Sequence, residues 1–295
     1  MKFSVLIENN ICSIATQNVK SEHGISLFIE ANNKKILFDV GKSARFFDNA
    51  QKMHIDMASV DYLIISHGHF DHGGGLKKFL EVNDKAQIFL HKKAINKYYT
   101  KLLGFIPFYI GLKQKTIEAN RHRFTFIDKD FAIDKNLQIL ENFEHNFPLP
   151  KGNDSLLEKQ GKKYVKDAFK HEIVLLLTEA DKSAVITACS HSGVINMYNK
   201  AKDFIKGKQI DAVFGGFHTY NPATRKNESS EYLDKLATEI KQSQAVFYTG
   251  HCTGEKNFKY LKNKLGNQLQ TMHTGEIITV ESDSGDAMLA SKTGT

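Results

Sequence analysis

Four side chains of the types that bind metals crowd into six consecutive positions directly after an apolar run. Residues 62–65 are almost continuously apolar, which is typical of a strand buried on both faces, and His67, His69, Asp71 and His72 follow them. Such side chains at the end of a buried strand are more often metal ligands than core residues. They indicate two half-sets, His67 with His69 and Asp71 with His72, which distant segments must complete. The pattern predicts a two-metal hydrolytic centre.

Three further apolar runs lead directly into turns that carry histidine. The histidines at these turns are His191, His218 and His251. Because sites in layered α/β folds are assembled where strand ends converge, we expect all four turns to meet. A lone histidine at a strand end is usually a hydrogen-bonded structural residue, but four such ends indicate a shared site.

Short strands alternate with amphipathic helices along the 295 residues, and this favours a single domain over 1–280. The patterns include a strand at 11–16 and a helix at 93–99. The region 100–166 is less regular, and we expect an insertion over the site, although a peripheral hairpin region explains it equally well. Residues 281–295 are small and polar and are expected to form a disordered tail.

Charge and cysteine content bear on the compartment and the partners. The net charge of +7 comes from scattered lysines, which suits a small anionic substrate, and no compact basic patch with interleaved aromatics predicts nucleic-acid binding. Three cysteines are too few for a disulfide framework. No apolar segment approaches the ~18 residues that a membrane span needs, and Glu8 interrupts any signal-like start. We expect a cytoplasmic protein without membrane contact, and its oligomeric state stays open.

The segment 67–74 resembles the signature of the metallo-β-lactamase-fold superfamily. Five other segments are similar to one subgroup, the 7,8-dihydropterin-6-yl-methyl-4-(β-D-ribofuranosyl)aminobenzene 5′-phosphate synthase-like proteins. These segments are 22–26, 38–41, 188–193, 215–218 and 249–254. The resemblance covers roughly residues 1–280. It implies a mixed α/β (α+β) fold, the four-layer αβ/βα sandwich, with two divalent metal ions between its halves, usually Zn²⁺, with Mn²⁺ or Fe²⁺ as alternatives.

The resemblance also implies a ligand set. His67 and His69 would bind the first ion, and Asp71 and His72 the second. His251 would complete the second site. For the remaining ligand of the first site we favour His191, on ligand type and placement.

Two positions depart from the commonest pattern of the superfamily. Many members carry a metal-bridging aspartate where this chain has Cys189 nearby, and a histidine in a Pro-Gly-His-Thr stretch where this chain has 167–172. The identity of the bridging ligand is therefore open. Cys189 and His171 are kept as reserve ligands.

Two residues are expected to act in catalysis. Asp71 would orient the attacking hydroxide, and His218 would contact a phosphate oxygen or protonate the leaving group, unless it is simply a packed histidine. Arg121, Arg123 and the basic balance favour an anionic substrate.

The sequence thus predicts a metal-dependent hydrolase that acts on a phosphate-bearing small molecule, such as a phosphodiester. A lactone, thioester or lactam hydrolase on the same centre is an alternative, and a nuclease is a weaker one. A metal-binding sensor without turnover is the alternative from a different class. The intact set of donors argues against the sensor, because no ligand position in the cluster carries an inert residue.

Overall fold

The computed structural model describes residues 1–15 and 17–281. The predicted tail, 281–295, lies outside these residues except for its first position. The predicted strand at 11–16 is not formed among its described residues, since Ile11 makes only a single bridge to Thr274.

A seven-stranded sheet forms the first half of the molecule. Its strands are β1 (Lys2–Ile7), β2 (Ser26–Ala31), β3 (Lys34–Phe38), β4 (Tyr62–Ile65), β5 (Gln87–His91), β8 (Phe124–Ile127) and β20 (Ile277–Thr279). The spatial order is β20-β1-β2-β3-β4-β5-β8. Pairing is antiparallel from β20 to β3 and parallel from β3 to β8.

A second seven-stranded sheet repeats this arrangement. Its strands are β9 (Phe131–Asp134), β10 (Leu137–Leu140), β13 (Val174–Glu179), β14 (Lys182–Ile186), β15 (Ala212–Phe214), β18 (Val246–Thr249) and β19 (Leu269–Thr271). The spatial order is β19-β18-β15-β14-β13-β10-β9. Pairing is antiparallel from β9 to β14 and parallel from β14 to β19. Each half therefore has one antiparallel and one parallel part.

Helices cover the outer face of each sheet. The helices are α1 (Arg45–Lys52), α2 (Phe70–Gly73), α3 (Leu76–Val82), α4 (Gln114–Ala119), α5 (Val194–Phe204), α6 (Ser230–Ser243) and α7 (Glu255–Leu265). Buried side chains of α1, α3 and α4 pack on the first sheet, and those of α5, α6 and α7 pack on the second. No helix of the described residues is long and apolar enough to cross a membrane.

The inner faces of the two sheets share a central apolar core. Phe3 of the first sheet stacks on Phe214 of the second, with 4.0 Å between ring centroids. Ile36 and Leu175 belong to the same buried cluster. Burial of apolar area drives this packing of one sheet on the other. Because helices cover the two outer faces, the layers are helix, sheet, sheet and helix. The predicted four-layer αβ/βα sandwich is confirmed.

Residues 100–166, predicted as an insertion, are divided among three sheets. The strands β8, β9 and β10 belong to the large sheets, whereas the segments on either side build a separate four-stranded sheet. This small sheet has the order β12 (Lys163–Lys166), β11 (Leu156–Gln160), β6 (Tyr98–Leu102) and β7 (Ile106–Tyr109). The predicted helix at 93–99 is wrong, because Lys92–Ile95 form a 3₁₀ turn and Tyr98 and Tyr99 belong to the strand β6.

The remaining elements are short. A two-stranded hairpin contains β16 (Tyr220–Asn221) and β17 (Lys226–Asn227). Single 3₁₀ turns occur at Met57–Ser59, Lys92–Ile95, Arg121–Arg123, Lys151–Ser155, His251–Thr253 and Gly266–Gln268. The carboxyl ends of β4, β14, β15 and β18 belong to the parallel parts of the two sheets, where loops that carry functional side chains are expected to gather.

Candidate metal centre

The four histidine-bearing turns meet at the ends of β4, β14, β15 and β18. Ring centroids of successive histidines in this cluster lie between 4.2 and 5.3 Å apart. The structure brings all six predicted ligands, both predicted catalytic residues and Cys189 together. These buried residues are His67, His69, Asp71, His72, Cys189, His191, His218 and His251.

The first half-set contains His67, His69 and His191. The Nε2 of His67 lies 3.1 Å from the Nδ1 of His69, so two donor atoms converge. The other nitrogen of His67 contacts the Oγ of Ser66 at 2.8 Å, and the Nδ1 of His191 contacts the Oδ1 of Asn153 at 3.0 Å. These outer partners fix the ring orientations, as they do around bound metals.

The second half-set contains Asp71, His72 and His251. The Nδ1 of His72 contacts the Oδ2 of Asp39 at 2.7 Å, and the Nδ1 of His251 contacts the Oδ1 of Asn9 at 2.9 Å. The Nε2 atoms of both rings lie near the Oδ2 of Asp71, at 3.7 Å for His72 and 3.5 Å for His251. One carboxylate and two imidazoles thus converge on the same spot.

Cys189 lies between the two half-sets. Its Sγ is 3.1 Å from the Nε2 of His72. Donor atoms of Cys189, His67 and His191 lie within 4.8 Å of one another, and so do those of Cys189, His72 and His251. Among the described residues, Cys189 is the one member that these two groups share. The sequence placed it only in reserve, whereas the geometry gives it the central position.

His171, the second reserve ligand, has both ring nitrogens engaged. Its Nδ1 accepts a hydrogen bond from the Gly68 N–H at 3.0 Å, so its Nε2 carries the proton and donates to the Oδ2 of Asp167 at 3.1 Å. His171 therefore positions the turn between His67 and His69.

A cavity of about 320 Å³ opens beside the cluster. Asp71, His218 and His251 lie on one side of it. Its apolar lining consists of Phe70, Phe108, Ile110, Leu156, Pro222 and Ala223. Among the described residues that line it, none is a lysine or arginine.

The two arginines that suggested an anionic substrate lie elsewhere. Arg121 pairs with Glu118 at 3.1 Å, and its guanidinium lies over the ring of Phe126. Arg123 donates hydrogen bonds to the backbone carbonyls of Asn83 and Ala86. Both side chains serve local packing, so neither supports anion binding in the cavity.

Comparison with known proteins identifies the family. The sequence model of the metallo-β-lactamase superfamily matches residues 23–141. An uncharacterized protein of Methanocaldococcus jannaschii is 30% identical over 281 residues, which cover 94% of this chain and 99% of that protein. The chain belongs to the metallo-β-lactamase superfamily. The resemblance of the segment 67–74 is thereby confirmed.

Two other proteins match this chain over most of its length. A second Methanocaldococcus jannaschii protein, named 7,8-dihydropterin-6-methyl-4-(β-D-ribofuranosyl)-aminobenzene-5′-phosphate synthase, is 28% identical over 88% of this chain and 90% of its own length. A solved structure described as a metal-dependent hydrolase of the β-lactamase superfamily has a TM-score of 0.78 and 26% identity. It matches over 96% of this chain and 100% of its own.

Burial keeps several of the clustered imidazoles neutral. Burial and the neighbouring imidazoles lower the pKa of His67 and of His191, and burial with the adjacent His171 lowers the pKa of His69 to about 3. Burial acts in the same direction on His72, but the charges of Asp71 and Asp39 prevail and raise its pKa to about 9. A neutral imidazole has a free lone pair, so the first half-set is ready to bind a cation at neutral pH.

The donor set fits the divalent metals that this superfamily binds. The Nε2 atom of His191 and both ring nitrogens of His218 are buried without a hydrogen-bond partner among the described residues. Buried polar atoms left unpaired are costly, and a bound cation or ligand would satisfy them. Imidazole, carboxylate and thiolate together suit zinc, with other divalent transition metals as alternatives.

Four residues of the site were not singled out as ligands or partners from the sequence. His23 lies 3.2 Å from the Oδ2 of Asp71, and Asp39, Asn9 and Asn153 hold the outer nitrogens of three histidines. Asp39 could have been found from the sequence, because a carboxylate at a strand end followed by a turn glycine is typical of a functional site. The two asparagines left none, because each reaches the centre from a loop without a distinctive pattern.

Proposed function

We propose that the protein is a metal-dependent hydrolase with a dinuclear centre that acts on a phosphodiester or another phosphate-bearing small molecule. The single observation that carries the proposal is the position of Cys189 in two donor groups at once. The group of His67, Cys189 and His191, joined by His69, would hold the first ion. The group of His72, Cys189 and His251, joined by Asp71, would hold the second ion.

The proposed reaction is hydrolysis by an activated water. Two divalent cations, when bound, lower the pKa of water and make hydroxide available near neutral pH. Asp71 would accept a hydrogen bond from the attacking water, because its Oδ2 already faces several imidazoles at the cavity wall. Asp39 and Asn9 would keep the rings of His72 and His251 from turning.

His218 is proposed as the group that meets the substrate. Both of its ring nitrogens are buried without a partner among the described residues, and its ring lies 4.2 Å from that of His191. Its backbone φ of 48° places it in the left-handed region, which is uncommon for residues other than glycine and occurs at functional sites. It would donate a proton from one nitrogen to a substrate oxygen or to the leaving group.

The phosphate class has support from the 28% identical relative, which is named for a 5′-phosphate product. The absence of lysine and arginine among the described lining residues supports a second candidate, hydrolysis of a neutral lactone, thioester or lactam. In the first case the cations would recognise the anion together with His218 and other polar lining residues such as His23 and Asn221. The cytoplasmic location and the preference for a small anionic substrate over nucleic acid stay predictions.

We expect protein loaded with Zn²⁺ or Mn²⁺ to hydrolyse bis-p-nitrophenyl phosphate and chelated protein to lose this activity. Metal return should restore it, because the donors remain in place. The measurement is kcat/KM for the phosphodiester beside a lactone, a thioester and a lactam. Faster turnover of a carbonyl substrate would favour the second candidate. No turnover of any of these by metal-loaded protein would contradict a hydrolase and favour the sensor.

Replacement of His218 by alanine should lower kcat about 100-fold or more, the usual size of a lost general acid, with bound metal unchanged. Replacement of His191 should instead lower the metal content, because its Nε2 is a proposed ligand atom. Metal analysis and steady-state kinetics on the same preparations distinguish the two effects. The exposed His122 provides a control substitution. A larger metal loss from the His218 variant would reverse the two assignments.

A further inference from the structure

One face of the small sheet forms a wall of the cavity. Leu156, Thr100 and Phe108 occupy directly opposite positions on β11, β6 and β7, and all three line the cavity. Opposite residues of an antiparallel pair point to the same face. Ile110 continues the wall toward the metal centre, where its carbonyl accepts a hydrogen bond from the N–H of Phe70 at 2.8 Å.

The apolar surface of this hairpin continues beyond the cavity. Leu102 and Ile106 form the next outward pair of β6 and β7 on this face, and Leu103 and Phe105 form the turn. The fraction of each side chain that is exposed runs from 43% at Ile106 to 75% at Phe105. We call Leu102, Leu103, Phe105, Ile106 and Phe108 the hairpin strip.

We propose that the hairpin strip binds an apolar tail of the substrate, so that the protein acts on an amphiphilic molecule whose hydrolysable head lies at the metal centre. The identity of the hydrolysable head rests on the proposed function, whereas the binding of an apolar tail by the hairpin strip does not. Apolar groups exposed together in this way usually mark a binding surface. Here the surface continues the cavity wall, which is polar at the histidine end and apolar at the other, as in a site for an amphiphile.

The length of the hairpin strip and the sequence of the edge strand β7 favour an apolar tail over a second copy of the chain as the occupant. From Phe108 to the turn the strand covers roughly 10 Å, at the usual rise per residue, which gives room for a chain of several methylenes. A second copy pairing along the edge strand β7 is opposed by Pro107, which lacks a backbone N–H to donate.

The test is calorimetric binding of two homologous series to the metal-loaded protein, n-alkylphosphonates and n-alkanoates, below their micelle concentrations. Neither series is hydrolysed, so binding is measured apart from turnover. Burial of each methylene should tighten binding about two- to fourfold, and the decyl compound should therefore bind roughly 50-fold or more tightly than the butyl compound. The double variant Leu102→Ser/Ile106→Ser should lose most of this dependence on chain length.

Tyr164→Ser is the matched control. Tyr164 is a similarly exposed residue of the same sheet, but it lies on the opposite face, where its ring contacts Tyr99. The control should keep the full dependence on length. If only the alkanoates show the dependence, the strip is supported and the phosphate part of the proposed function is rejected.

Equal affinities for butyl and decyl compounds in both series would overturn the tail site, whatever the activity of the protein. A dependence on length that survives Leu102→Ser/Ile106→Ser would also overturn it, since the tail would then lie elsewhere. Self-association that the double variant abolishes, with no dependence on length, would identify the strip as a contact between copies and equally overturn the proposal.

Discussion

Replacement of Cys189 by alanine is expected to lower the bound metal from two ions per chain to at most one and to reduce kcat/KM at least about 100-fold. The thiol belongs both to the donor group of His67 and His191 and to that of His72 and His251, so its loss would remove a proposed ligand from each ion. Without a cation, burial raises the pKa of this thiol, and a metal reverses the preference because a coordinating thiol is deprotonated. Metal analysis after dialysis and steady-state kinetics provide the measurement.

Two companion variants sharpen this result. Cys252→Ala removes the neighbouring buried thiol, whose Sγ contacts the carbonyl of Cys189 at 3.6 Å, and should keep two ions. Cys189→Asp places an oxygen donor at the same strand end and should recover much of the metal that Cys189→Ala loses. Two tightly held ions in Cys189→Ala would show that the thiol is only a packed residue.

Replacement of Asp71 by asparagine should reduce kcat/KM by about 1,000-fold or more and weaken the second ion. The Oδ2 of Asp71 lies 3.2 Å from the Nε2 of His23, 3.5 Å from that of His251 and 3.7 Å from that of His72. A negative charge at this position would both hold a cation and orient the nucleophile. Those imidazoles hold the pKa of Asp71 well below its usual range, although burial opposes them. The carboxylate is therefore charged throughout the working pH range.

Asp154→Asn is a suitable control for Asp71→Asn, because it removes an equal charge from an exposed pair with Lys166. It should change kcat/KM little, as exposed ion pairs contribute little. Asp71→Asn with near-normal kcat/KM and two bound ions would refute both roles of Asp71. A loss of kcat/KM with both ions retained would leave only the orienting role.

The strand ends were predictable from the sequence, and they carry most of the site. An apolar run that passes directly into a histidine is a local pattern, and convergence of parallel strand ends follows from the geometry of layered sheets. The sequence alone therefore predicts that His191 and His251 lie beside His67. The resemblance to the superfamily then predicted the four-layer αβ/βα sandwich.

The contributions that depend on long-range packing were not predictable. The resemblance put Cys189 near the position of the bridging ligand, but the choice between Cys189 and His171 depended on distances that the sequence does not give. Residues 93–99 have a helical pattern, but Tyr98 and Tyr99 pair with β11 and β7, and this pairing overrides the local preference, as tertiary contacts often do. Arg121 and Arg123 were expected to favour an anionic substrate, but both make local contacts away from the cavity. The sequence does not show which side chain or carbonyl a basic residue will contact.

The most direct test is a crystal structure of the zinc-loaded protein, with anomalous diffraction measured on both sides of the zinc absorption edge. We expect two zinc peaks per chain, one bound by His67, His69 and His191 and one by Asp71, His72 and His251, with the Sγ of Cys189 bound to both. A single peak, or two peaks that both leave the Cys189 Sγ unbound, would contradict the proposed dinuclear centre.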